Sequence, residues 1–538
     1  MNKIIISCIT RSNESPGVRY FTRINGVLKI YENTAGLLQE KAQLVSFDWD
    51  NLILWLCQEE EEMPLDIIDM EQVAKQLLGK KKVNGLNPPW SIWEILSPFY
   101  EENENDDFIK TQRVYYGLEE ADETEKLRLY DRFLIALQLC YDGQMIELKE
   151  KDEYDRFYNV ERPIRIINLE RTYRGIAIDS ENVGDWVNSL SQQVYRLRNK
   201  LQLTYGIIAA QDRGTIYGKL EEKGLLADAW EVIAEKGYYF FLKESKLRDE
   251  LLELLYEEKK QTTDLNILLS IGALRPKHQQ IHPVFDSFGT ITARTKMISP
   301  NIQHLTKKYR SIVTAHKNKV LRYIDYVQFE AGILANDSGD EVLIQQYNES
   351  DVYTEIGKKI KIEKYIAEKE DQRKFCKSLF YKYSYGMDIK NHIGILKDYK
   401  LECHKTELSP AIANAFGEYK TLNEFREQVK HEALNANAIG THQGNFRYLL
   451  ENEKNVSWAM SQRIQGTASL ILKKAIITLR KIDPEIEFLI PMHDAALFQV
   501  PAAKKEEKEV LIQKTFEEAF AEECPSIKPH AKFKGFTE

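Results

Sequence analysis

Residues 320–340 constrain this chain more than any other stretch. Val320, Leu321, Arg322, Tyr323 and Ile324 are mostly β-branched, aromatic or long apolar residues and predict a buried strand, whereas from Gln328 onward apolar residues fall at helical spacing. Asp325 therefore stands where a strand hands over to a helix. A carboxylate there projects from a rigid element and can hold a hard cation, or it can simply cap the helix. Far downstream, residues 487–490 and 496–500 predict two strands joined through Pro491-Met492-His493-Asp494-Ala495, a hairpin with Asp494 at its turn. Taken alone, Asp494 reads as an ordinary turn aspartate. Together, two aspartates on adjacent strands can hold two Mg²⁺ ions about 3.5–4 Å apart, one at an attacking hydroxyl and one at a leaving phosphate.

With 538 residues, 43% of them hydrophobic, the chain has apolar material for two to four domains. Its net charge of -9 argues against nucleic-acid binding only as a sum, because the acidic runs at 59–62, 101–107 and 119–125 all lie in the first 155 residues. Such runs are expected as solvated surfaces that face away from any phosphate backbone. Six cysteines without a CxxC pair indicate neither a zinc ribbon nor a disulfide framework, and no apolar run reaches about 18 residues. A soluble, cytoplasmic protein with no membrane contact is the expectation.

Alternating strand and helix signals from Lys3 through Asp50 and Cys57 predict a small α/β domain. From about Arg162 the pattern is helical, with an amphipathic run at 183–203. A second helical block at 247–269 carries Arg248, Lys259, Lys260, Gln261, Thr262 and Thr263, types suited to phosphate contact or to a plain surface helix. A polar loop follows in which Arg294, Asn301 and Gln303 can donate hydrogen bonds to the sugar edge of a duplex. At 371–386, Arg373, Lys377, Tyr381 and Tyr385 recur at every fourth position, so they share one helical face with a drift of about 40° each. That face suits a triphosphate at its cations and sugar and base at its rings, while Phe375, Leu379 and Tyr383 form the packed face. Farther on, 440–441 and 444–448 predict a hairpin, Gln465 opens an apolar helix, and 532–536 predicts a last strand.

In this order these segments resemble the family A DNA polymerases, the DNA polymerase I class. Asp325-Tyr326-Val327-Gln328-Phe329-Glu330 with Asp340 is similar to that family's first palm motif, Arg373, Lys377, Tyr381 and Tyr385-Gly386 to its fingers motif, and His493-Asp494 to its third. Arg294, Asn301 and Gln303 resemble the primer-side loop and Gln465-Gly466-Thr467-Ala468 the template-side helix. The resemblance implies an α+β right-hand fold. Its divisions would be a degenerate 3′–5′ exonuclease-like α/β domain at 1–155, a helix leading into the palm at 156–195, a thumb at 196–285, palm at 286–340, fingers at 341–455 and palm again at 456–538. It implies primer extension on a DNA template by two-metal nucleotidyl transfer with Mg²⁺ or Mn²⁺, on primer-template DNA and dNTPs, with room for a processivity or pathway partner.

By the same resemblance Asp325 and Asp494 bind the metals, and Arg373, Lys377, Tyr381, Tyr385, Gln328, Glu330 and Tyr353 form the dNTP site. Arg294, Asn301, Gln303, Gln465 and His493 then meet nucleic acid. The sequence departs from the family at Ala495, where Glu is frequent, at Tyr353, where His is frequent, and at Ser457 and Ser461, where larger side chains are usual. No Asp-x-Glu opens the first strand, so proofreading is not expected, although Asp48, Asp66, Asp69 and Asp131 remain as carboxylates in that domain. Polymerases using RNA templates or ribonucleotides, or acting without a template, are the alternatives in the same chemistry. A non-catalytic nucleic-acid scaffold is the alternative of another class.

Overall fold

Successive residues of the strand Lys319–Tyr326 enter different cores. Ile324 and Tyr326 pack with Ala496, Phe498 and Val500, whereas Leu321 and Tyr323 pack with Ala495 and Leu497. Asp325 shares the second face. This is a computed structural model, and it describes residues 3–9, 19–58, 62–79, 88–209, 212–226, 229–273, 279–386, 393–451 and 453–537.

The Asp325 strand is an inner strand of a four-stranded antiparallel sheet whose spatial order is Glu487–Pro491, Ala495–Pro501, Lys319–Tyr326, Ala531–Lys534. The expected hairpin around Asp494 is therefore formed, and the register sets Asp325 opposite Ala495. Helices Phe329–Ser338, Ala459–Ile482 and Lys505–Glu523 supply the first core. At Gly332 a Cβ would stand 2.8 Å from the Tyr347 ring, so only glycine lets the helix behind Asp325 pack this close. The helix carrying Gln465 starts at Ala459 rather than at Gln465, because Ala459, Met460 and Ile464 already pack in that core.

Beyond the sheet, helices Val352–Ile360, Lys369–Ser384, Lys405–Gly417 and Lys420–Ala436 extend the same core, and Phe375, Leu379 and Tyr383 are buried in it as the four-residue pattern predicts. The expected hairpin follows as Ala438–Thr441 and Gly444–Tyr448.

A separate lobe is built on helices Ser180–Tyr205 and Glu250–Ala273, which pack on each other and carry a small core of Leu201, Leu220, Phe241 and Leu255. Two expectations change here. The first helix runs unbroken across 195/196, so a unit boundary there would cut a continuous element. Arg248 lies before the second helix, not on it, and pairs with Asp398 at 2.7 Å, joining this lobe to the helix Ile393–Asp398. A group that far into an ion pair is not a free phosphate contact.

The N-terminal α/β unit has a five-stranded sheet in the order Val27–Tyr31, Arg19–Ile24, Lys3–Ile9, Gln43–Ser46, Ile67–Asp69, antiparallel on one side and parallel on the other. Helix Glu123–Glu150 covers it through Phe133, Leu134 and Leu137. Arg165 pins this unit to the rest. Its buried guanidinium bonds Asp50 and Asp69 at 2.9 Å each and the Phe285 carbonyl at 3.0 Å. Of the acidic runs, residues 59–61 lie outside the described residues, as does Thr10 of the opening strand. Among the described residues no helix is long and apolar enough to cross a membrane.

Candidate active site

Asp325 and Asp494 come together because adjacent strands of the sheet end side by side. The Asp494 carbonyl accepts the Tyr326 N–H at 3.1 Å, which locks the hairpin turn against the end of the Asp325 strand. Asp494 Oδ1 is buried without a hydrogen-bond partner and lies 3.9 Å from the Arg294 guanidinium. Burial pushes the Asp494 carboxyl up to about 7, the neighbouring Glu330 and Asp325 carboxylates add to the rise, and Arg294 and Lys377 oppose it. Asp325 Oδ2 instead accepts the Lys534 ammonium at 2.6 Å.

Glu330 begins the helix behind Asp325 and is only 8% exposed. One of its oxygens accepts from Arg294 at 2.7 Å and the other from the Tyr385 hydroxyl. Gln465 hydrogen-bonds that same hydroxyl. Arg294 thus faces inward among carboxylates, its place fixed by a turn in which its N–H bonds Thr290 Oγ1 at 3.0 Å. The expectation of a sugar-edge contact had not included this inward pairing.

The face of the helix Lys369–Ser384 carries its four expected residues in sequence. Arg373 pairs with Asp351 at 2.7 Å and lies 4.9 Å from the Tyr353 ring centre. Lys377 stands 5.5 Å from the Tyr381 ring and has no ion pair among the described residues. Tyr381 and Tyr385 lie nearly parallel, 6.0 Å apart at 10°. Burial raises both phenols well above their ordinary value, so both are neutral donors at neutral pH. Tyr353 is buried and hydrogen-bonds the Tyr381 hydroxyl at 3.0 Å, which sets it behind the cations and not in front of them.

Three expected residues have other work. Gln303 accepts the Met297 N–H at 2.7 Å and donates to the Pro491 carbonyl at 2.5 Å, tying its loop to the Asp494 hairpin. The Gln328 amide spans the 350–352 junction, accepting the Val352 N–H at 2.8 Å and donating to the Ser350 carbonyl at 3.3 Å. Asn301 accepts the His304 N–H at 3.3 Å and, like exposed His493, stays on the rim. Two residues were missed. Asp351 caps the helix Val352–Ile360 and holds Arg373, a role its Asp351-x-x-Thr354 spacing could have suggested. Lys534 could not have been found, because only strand register brings it to Asp325.

In the N-terminal unit the four aspartates singled out in the sequence are all engaged. Asp66 pairs with Arg162, Asp69 with Arg165 and Asp131 with Arg23. Asp48 accepts from Asn51 and Tyr115, and burial pushes it up to about 6.

Comparison with known proteins adds three findings. The family model described as DNA polymerase family A matches residues 239–528, more than half of the chain. The DNA polymerase I of Bacillus subtilis (strain 168) is 24% identical over 437 residues, covering 73% of this chain and 47% of that protein. The DNA polymerase I of Helicobacter pylori (strain ATCC 700392 / 26695) is 22% identical over 513 residues, covering 90% and 54%. The chain spans about half the length of the curated relatives it matches. Among solved structures, the POL domain of Pol1 from M. smegmatis in complex with DNA primer-template and dNTP superposes with a TM-score of 0.73 at 15% identity, over 99% of this chain and 95% of that one. At that identity the likeness is one of fold.

Proposed function

The chain belongs to DNA polymerase family A, and from that premise we propose that it extends the 3′ end of a DNA primer on a DNA template with deoxynucleoside triphosphates. The observation that carries this reading is the meeting of Asp325 and Asp494 on adjacent strands, with Asp494 Oδ1 buried and unpartnered, close enough to Lys377 for that cation to oppose the rise at Asp494. An orphaned buried carboxylate oxygen beside a second carboxylate is a donor set suited to hard divalent cations. Asp325 and Asp494 would hold two of them, Mg²⁺ or Mn²⁺. Bound there, such ions supply Lewis acidity for a primer hydroxyl and offset charge on departing pyrophosphate.

The remaining work falls to this chain's own groups. Arg373 and Lys377 bind the triphosphate, with Arg373 exchanging its Asp351 partner for a phosphate oxygen. Tyr381 and Tyr385 set their faces along sugar and base. Glu330, held by Arg294 and Tyr385, fills the space where a 2′-hydroxyl would lie, so deoxynucleotides are preferred. Tyr353 supports Tyr381 from behind, and Gln328 braces the backbone around the pocket. Arg294 orients Glu330, and Gln465, Asn301 and His493 line the path of the nucleic acid, with Gln303 tying the Asn301 loop to the His493 hairpin.

The N-terminal unit is proposed as a packing platform without proofreading. The engagement of Asp66, Asp69 and Asp131 by arginines supports this, because a two-metal nuclease needs several free converging carboxylates. The test is extension of a labelled primer by Asp325→Asn and Asp494→Asn, alongside DNA binding. Loss of extension with binding retained is expected. Near-normal extension by either variant would reject the assignment.

A further inference from the structure

Lys534 closes the strand Ala531–Lys534, which runs antiparallel beside the Asp325 strand with Tyr323 opposite Lys534 and Lys532 opposite Asp325. Its ammonium reaches diagonally to Asp325 Oδ2 at 2.6 Å, with the lysine side chain 50% exposed and the carboxylate 23% exposed. The two site aspartates are therefore unequal. Asp494 offers an oxygen with no hydrogen-bond partner, while Asp325 already accepts directly from a cation. Where a further carboxylate could have followed Asp494, the chain has Ala495, buried in the core beneath. Three acids, Asp325, Asp494 and Glu330, thus face three basic groups, Arg294, Lys377 and Lys534.

An ammonium has three donors and no acceptor, so Lys534 cannot coordinate a metal ion and can only compete with one for Asp325. We infer that Lys534 is a counter-ion that positions Asp325 in the unloaded protein and competes with divalent cations there, raising the metal concentration at which the site fills. The inference rests on Asp325 and Asp494 being the metal ligands proposed above. The lysine is half open to solvent, which limits the strength of the pair, so removing the charge should tighten metal binding about fivefold and not by orders of magnitude. Being exposed, the effect should shrink as salt screens it.

The experiment measures Mn²⁺ binding to the full chain, without DNA or nucleotide, from the electron paramagnetic resonance signal of free Mn²⁺. Lys534→Met keeps the stem and removes the charge, Lys534→Arg keeps the charge, and Lys532→Met removes a neighbouring charge on the same strand. Thermal melts report whether each variant is folded. The expected result is binding about fivefold tighter for Lys534→Met at low salt, near parental for Lys534→Arg, and a smaller change for Lys532→Met. A matching fall in the half-saturating Mg²⁺ for primer extension is the second readout. Unchanged or weaker binding by Lys534→Met overturns the inference, as does an equal gain from Lys532→Met, which would make the effect one of general surface charge. Asp325→Asn separates the two layers. If it loses Mn²⁺ while Lys534→Met behaves as the parent, only the role of Lys534 fails; if it binds Mn²⁺ like the parent, the metal assignment fails and takes this inference with it.

Discussion

Replacing Asp494 by Asn should stabilise the metal-free protein while ending its proposed chemistry. The Asp494 carboxyl is pushed from 3.8 to about 7 by burial and by the Glu330 and Asp325 carboxylates. A raised acid is one whose charged form the fold disfavours. At pH 4 and below the group is protonated both folded and unfolded, so Asn gains nothing there. Between about 4 and 7 the unfolded chain releases the proton first, and the cost to the folded state grows until it is complete above 7. At about 1.4 kcal/mol per tenfold change in acidity, that displacement sets a ceiling near 4 kcal/mol. The side chain is 33% exposed, so screening leaves about 1–2 kcal/mol, a rise in melting temperature of about 1–2 °C for a chain of this length. Calorimetric melts in EDTA at pH 5 and pH 8 are the assay. The gain of Asp494→Asn over the parent should be larger at pH 8, and added Mg²⁺ should stabilise the parent alone. An equal gain at both pH values, or a loss at pH 8, would refute the reasoning from crowded charge.

Glu330→Ala removes the group that Arg294 and Tyr385 hold in place and should raise ribonucleotide incorporation at least tenfold; single-nucleotide kinetics with paired ribo- and deoxynucleotides decide, and no change would put the sugar gate elsewhere. Tyr381→Phe removes the hydroxyl bonded to Tyr353 and should increase discrimination against dideoxynucleotides, read as a ratio of kcat/KM values, with an unchanged ratio counting against a role at the 3′ edge. The protein should not remove a 3′-mismatched base in Mg²⁺ or Mn²⁺ without nucleotides; removal that survives Asp325→Asn but is lost in Asp48→Ala would show a working nuclease. Arg165→Met should cost about 3–5 kcal/mol in chemical unfolding, because Asp69, only 5% exposed, loses its buried cation; a cost below about 1 kcal/mol would mean that the pair does not pin the N-terminal unit.

What was legible in the sequence was local. The strand ending at Asp325, the hairpin at Asp494 and the face of Arg373, Lys377, Tyr381 and Tyr385 each follow from periodicity over a few turns or one pleat. The opposite face of that helix is buried as its pattern requires. Less legible was anything that depends on partners far apart in the chain. Gln303, Gln328 and Arg294 looked like free donors because nothing nearby in sequence consumes them, yet each meets its partner through the tertiary fold. Arg248 looked helical because apolar periodicity extends past it, and an ion pair across to Asp398 holds it instead. The start of the helix at Ala459 escaped notice since Trp458 supplies no side-chain cap to mark it.

The sheet order has a consequence for how the molecule is made. Asp325 has its strand neighbours at 495–501 and 531–534, so neither side of its strand can be paired until roughly the last tenth of these residues has been synthesised. The N-terminal sheet, by contrast, closes within the first 69 residues. A growing chain therefore carries one finished unit and a long helical array around an apolar, unpaired strand, a state that favours slow closure and mispairing. Covering that strand early is a task for the helix that follows it directly, whose Phe329 ring stacks on Tyr326 at 4.2 Å.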